Sequence, residues 1–182
     1  MSQIYLFHLF KGQCVLNYDY FKAAGFLPTN EKECEVLKDQ IAFCDRMDRN
    51  KRRVFKSHLP FEFLPPAALE KSKVIYVARN PKDCVVSFYK FMSLPEHGYL
   101  GNFSEFCKFF EEGLQLYGSY WHHIKSYWNQ RSNKNLKFLW FEDMKKDQRS
   151  VINELCDFLN HPLSEEKIDA LVGVTINRVI FM

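Results

Sequence analysis

Lys56 and His58 stand two residues apart at the end of one apolar run, RVFKSH, and Arg79 closes another, KVIYVAR. Side chains two apart on an extended strand point the same way, so an ammonium and an imidazole would share one side there. Like charge beside it holds an imidazole's pKa down, which suits a general base near neutral pH. The competing reading of His58 is a buried histidine whose ring is satisfied by backbone. Arg79 is followed at once by Asn80 and Pro81, an N-cap and a first helical residue, so its guanidinium would sit where a helix N-terminus attracts anions. A phosphate held by Arg79, with Ser87 two turns into that helix, is one reading. An Arg79–Asp83 pair capping the turn is the other, and the residue types leave both open.

These residues need strands to hold them. RVFKSH, KVIYVAR and LKFLWFED are short runs rich in Val, Ile, Phe and Tyr, each ending in a polar cluster. Helical spacing appears in NFSEFCKFFEEGL and QRSVINELCDFL, Asn30 and Glu33 form a capping box before Val36, and Ser164 opens a last short helix. Strands alternating with helices predict an α/β fold with a parallel sheet flanked by helices, which binds ligands beyond the carboxyl ends of its strands. His58, Arg79 and the Glu142–Asp143 pair then converge on one edge.

Composition sets the outer limits. The 182 residues carry 47% hydrophobic and 16% aromatic side chains, enough for one domain with a real core and too apolar for disorder. A net charge of +3 is too mild to imply nucleic acid as the main partner and leaves room for a local basic site for an anion. Cys14, Cys34, Cys44, Cys84, Cys107 and Cys156 form no C-x-x-C pair, so reduced thiols in the cytoplasm are expected, without structural zinc. The amino-terminal MSQIYLFHLFKGQCVL lacks a basic flank and carries His8 and Lys11, so neither a signal peptide nor a membrane span is expected, and no membrane association. NFS at Asn102 is a formal glycosylation sequon, unused without export. In WHH, adjacent histidines on a helix point about 100° apart, so one in the core and one on the surface is expected rather than a metal site. SLPEHGYLGN reads equally as a lid or an ordinary loop, RNKRR as a solvated loop, and Cys84 as packing. No G-x-x-x-x-G-K-[ST] motif is present, which removes a P-loop kinase.

FKSHLPFEFLP, YVARNPKDCVVSFYKF and FLWFEDMKKD resemble three consecutive signature regions of the cytosolic sulfotransferases, and GSYWHHIKSYW resembles a helix of that family. The resemblance runs from about Tyr18 to Ile168. It implies a P-loop-NTPase-like sulfotransferase fold in one domain, and sulfuryl transfer from 3′-phosphoadenosine 5′-phosphosulfate (PAPS), without a metal. The acceptor would be a small phenol, alcohol, steroid-like molecule or amine. It also implies that His58 is the base, that Lys56 assists it, that Arg79 and Ser87 bind the 3′-phosphate, and that Phe91 lines the acceptor pocket. Phe141 stands where the family often has tyrosine, against the adenine nucleotide.

Two family features have no counterpart. The K-S-G-T-T-W loop that holds the 5′-phosphosulfate is absent before the histidine motif, and VGVTINRVIFM replaces the adenine and 3′-phosphate segments after Leu171. The fold is therefore expected to be incomplete. A non-catalytic chain keeping part of the 3′-phosphoadenosine site is the alternative. Loss of a central strand would uncover a neighbouring edge and reduce solubility unless the amino-terminal segment replaces it.

Overall fold

The computed structural model describes residues 3–8, 53–65, 67–95, 97–115 and 118–178, with side chains described from 57 to 172 within those limits. The capping box at Asn30 and most of the RNKRR run lie outside the described residues.

A four-stranded sheet in the order β2-β1-β3-β4 forms the framework. Its strands are β1 (Gln3–His8), β2 (Arg53–Ser57), β3 (Ser72–Ala78) and β4 (Leu136–Trp140). The three strands expected from sequence all form. β3 and β4 pair in parallel, with Val74 opposite Leu136 and Ala78 opposite Trp140. β1 is the addition: it lies between β2 and β3 and runs antiparallel to both, with Leu6 opposite Phe55 on one side and Val74 on the other. The amino-terminal segment thus fills the slot whose vacancy would have exposed an edge.

Burial on both faces explains why β3 reads as an unbroken apolar run. Val74, Tyr76 and Ala78 pack with Leu64, Ala68, Leu69, Tyr127 and Leu136 on one face. Ile75 packs with Leu139 and Val151 on the other, with Val77 alongside. The helices that close these layers are α1 (Ala68–Lys71), α2 (Pro81–Met92), α3 (Phe103–Glu112), α4 (Tyr120–Trp128), α5 (Phe141–Lys146), α6 (Gln148–Phe158) and α7 (Glu165–Arg178). The last of these is longer than the short helix expected from Ser164. A 3-10 turn, Phe61–Phe63, follows the histidine segment.

Local chemistry sets several helix ends. Asn80 caps α2 by accepting from the Lys82 amide at 2.9 Å, with Pro81 at the first helical position, as its sequence predicts. α3 opens with a capping box, in which Asn102 accepts from the Glu105 amide while its own amide donates to the Glu105 carboxylate. Cys84, Phe88, Phe106, Phe110 and Tyr120 then join α2, α3 and α4 in a second core, where Cys84 serves as packing. The Ser93–Asn102 loop is anchored onto this core by Tyr99, whose ring meets Phe106 at 5.2 Å and Tyr89 at 6.1 Å.

Candidate active site

β3 and β4 end side by side, and their parallel register continues past the strands into side-chain contacts. Arg79 and Phe141 follow the Ala78–Trp140 pair, and the guanidinium carbon lies 4.7 Å from the Phe141 ring centroid. One residue further on, the Asn80 amide donates to Glu142 Oε1 at 2.8 Å. The turn into α2 is therefore fastened to the start of α5. Arg79 Nε is buried and has no hydrogen-bond partner among the described residues. An orphaned guanidinium nitrogen at the start of a helix is equipped for an anion, because leaving a buried donor unbonded costs on the order of 1–3 kcal/mol. The guanidinium thus stacks on Phe141, and the Asp83 pair considered from sequence is not among the described ion pairs.

Ser87 and Phe91 both lie on α2, four residues apart and so on neighbouring positions of one face. Both are half-buried. The Phe91 ring meets the His97 imidazole at 4.0 Å, which ties the end of α2 to the loop after it. Lys56 lies within β2 opposite Tyr5. β2 ends at Ser57, so His58 is the first residue beyond the strand and the expected strand alternation with Lys56 stops short of it.

The His58 segment is held by α4, whose contacts the sequence reading missed. His123 Nε2 lies 3.1 Å from the His58 carbonyl, and its Nδ1 lies 3.0 Å from the Tyr76 hydroxyl. A carbonyl only accepts, so Nε2 carries the proton and Nδ1 accepts from Tyr76. Burial pulls the His123 pKa down to about 4, against a smaller opposing effect of the bond to His58, and keeps the ring neutral. The Tyr127 hydroxyl donates to the Leu59 carbonyl at 2.8 Å, and Ser126 Oγ accepts from the Phe61 amide at 3.0 Å. Tyr120 reaches the other half of the site, donating to the Arg79 carbonyl. Burial raises the pKa of both tyrosines, so they stay protonated donors. His122 instead faces outward and bonds Glu62. WHH therefore divides into one core and one surface histidine, and no metal-holding cluster occurs among the described residues.

The only signal that could have revealed these contacts is the composition of the buried stripe. Tyr120, His123 and Tyr127 occupy core positions three and four apart, where leucine would fill the space equally well. Polar tips at such positions announce partners, but a sequence does not say which.

The sulfotransferase domain family model matches residues 16–177. Human Sulfotransferase 1E1 is 38% identical over 151 residues, covering 82% of this chain and 51% of the relative. Human Sulfotransferase 4A1 is 43% identical over 121 residues, covering 65% of this chain and 43% of the relative. The structure of mouse sulfotransferase SULT7A1 complexed with PAP superposes with a TM-score of 0.69 at 30% identity, over 74% of this chain and 49% of that one. Retinol dehydratase in complex with androsterone and PAP gives 0.68 at 29% identity, over 85% and 48%. The chain spans about half the length of the relatives it matches. With the parallel β3–β4 pair, the capped turn after Arg79 and a domain match across most of its residues, this chain belongs to the sulfotransferase family.

Proposed function

We propose that the chain carries the 3′-phosphoadenosine end of a cytoplasmic sulfotransferase site, in which a sulfuryl group passes from PAPS to the hydroxyl or amine of a small acceptor. The observation that carries this reading is Arg79, whose buried Nε lacks a hydrogen-bond partner among the described residues while its guanidinium lies over Phe141 at the start of α2. That donor set fits a phosphate. PAP in the related SULT7A1 structure, and retinol or androsterone beside PAP in retinol dehydratase, support the nucleotide and the acceptor class.

Bound PAPS supplies the activated sulfuryl group. Arg79 and Ser87 hold the 3′-phosphate, and Phe141 offers an apolar face beside it. His58 would accept the proton of the acceptor as the acceptor's oxygen or nitrogen bonds to sulfur and the sulfur–oxygen bond to the 5′-phosphate breaks, releasing adenosine 3′,5′-bisphosphate, with Lys56 assisting. Phe91 forms part of the acceptor wall. Positioning and fixed positive charge supply most of the rate in such a transfer.

A second reading is favoured by the direction of β1. Gln3 pairs with Val77 and His8 with Ser72, so β1 ends at the edge opposite His58 and Arg79. The edge that carries His58 and Arg79 thus lies beside the amino end of β1 rather than its carboxyl end. This supports a chain that binds the nucleotide without transferring sulfate.

Calorimetry with adenosine 3′,5′-bisphosphate tests both readings. Saturable binding is expected, weakened about tenfold or more in Arg79→Ala. Equal affinity in a folded Arg79→Ala variant would overturn the assignment. Transfer of label from radioactive PAPS by the whole chain would eliminate the second reading, and binding without transfer would uphold it.

A further inference from the structure

α4 touches both halves of the proposed site, and its side chains do so by donating to backbone carbonyls of each half. Tyr120 bonds the Arg79 carbonyl, His123 the His58 carbonyl and Tyr127 the Leu59 carbonyl. The three donors form one stripe of a single helix, about 4.5 Å and 6 Å apart along its axis. We propose that α4 is the positioning element of the site, and that Tyr120, His123 and Tyr127 fix the spacing between the anion anchor and the base. This rests on the roles proposed above for Arg79 and His58.

Packing alone does not account for the stripe. Tyr120, His123 and Tyr127 are 5%, 6% and 0% exposed, a setting where polar atoms are unfavourable unless bonded. Each spends its polar tip on a carbonyl at or just beyond a strand end, the point that decides where the following side chain emerges. Tyr76 adds direction from within β3, because its hydroxyl occupies Nδ1 of His123 and so selects the tautomer that donates to His58. Ser126 reinforces the same segment: it accepts from the Phe61 amide and donates to the His123 carbonyl at 2.8 Å. The Phe61 ring then meets Tyr127 edge-on at 5.5 Å. A base and an anchor just beyond the ends of separate strands thus share one rigid reference.

The test uses the whole chain with Tyr120→Phe, Tyr127→Phe and His123→Phe, which keep a ring and remove the donor. Nitrogen-resolved NMR signals of Arg79 Nε–H and of the His58 imidazole report each half without any ligand. Tyr120→Phe is expected to shift the Arg79 signal and weaken adenosine 3′,5′-bisphosphate binding about threefold to tenfold, leaving His58 in place. Tyr127→Phe and His123→Phe are expected to shift the His58 signals and leave bisphosphate affinity within about twofold. His123→Gln, which can still donate, should partly restore the His58 signals.

Variants that lower the melting temperature while both sets of native-state signals stay put would overturn the proposal. So would variants that move both sets together. Should His123→Phe fail to fold, the two Tyr→Phe variants still demand opposite outcomes. If the parent chain does not bind the bisphosphate, the reading of Arg79 falls, yet the Arg79 and His58 signals still decide whether α4 positions them.

Discussion

A buried neutral histidine makes a chain sensitive to acid. Burial sets the His123 pKa at about 4 in the folded chain, below the ordinary 6.5. The folded-state value is depressed, so the unfolded chain takes up the proton first as pH falls. The full contribution of the neutral ring is present above pH 6.5 and is lost progressively toward pH 4, in total on the order of 3 kcal/mol. Urea midpoints at pH 7 and pH 4.5 should therefore fall further for the parent than for His123→Gln, which starts lower but declines less. Equal declines would remove His123 from the acid response. Tyr76→Phe should cost about 1–3 kcal/mol at neutral pH by leaving Nδ1 buried without its donor, read as a lower urea midpoint. At this scale the sequence was informative where local chemistry rules. Asn80 and Pro81 announced a capped helix, and Cys84 announced packing. It was silent about Tyr120 and His123, because a hydrogen bond to a carbonyl 41 or 65 residues away depends on the tertiary fold alone.

Elements were legible in proportion to how local their causes are. β2, β3 and β4 read as strands because their apolar runs are short and end in polar clusters. β4 stops at Trp140, short of the Phe-Glu-Asp in the expected strand run, because Phe141 already begins α5. β1 was not foreseen as a strand. Its runs of apolar residues suit a strand or a buried helix alike, and its partners lie far along the chain. Asn102, a formal sequon in the sequence, proves to be the N-cap of α3. Asn102→Ala is expected to destabilise the chain by about 1 kcal/mol and to raise amide exchange first in the opening turn of α3. Unchanged exchange at Glu105 would contradict the cap.

For the molecule as a whole, β1 is the strand on which integrity turns. It bonds β2 and β3 at once, and without it the described sheet divides between β2 and the β3–β4 pair. Leu6→Pro would remove a ladder donor in mid-sheet and is expected to cost about 3 kcal/mol or more, seen as loss of a cooperative melt and a rise in aggregation. An unaltered melt would mean that the sheet does not depend on β1. The reversed direction of this strand is also why fold class was readable and completeness of the site was not. Apolar patterning specifies that a segment pairs, whereas direction is decided by which neighbours compete for the slot.

Gly113 ends α3 at a φ of +72°, and a Cβ there would come within 2.8 Å of the Ser119 Cβ and 3.0 Å of its Cα. Ser119 is the N-cap of α4. Any larger residue at 113 would push on the mounting of that helix from outside the site. Since Arg79 and His58 hang from the same helix, a sliding of α4 would carry both along in common and preserve their separation, whereas a tilt would change it. If α4 positions the proposed site, the pinch at Gly113 is a remote adjustment point for its alignment.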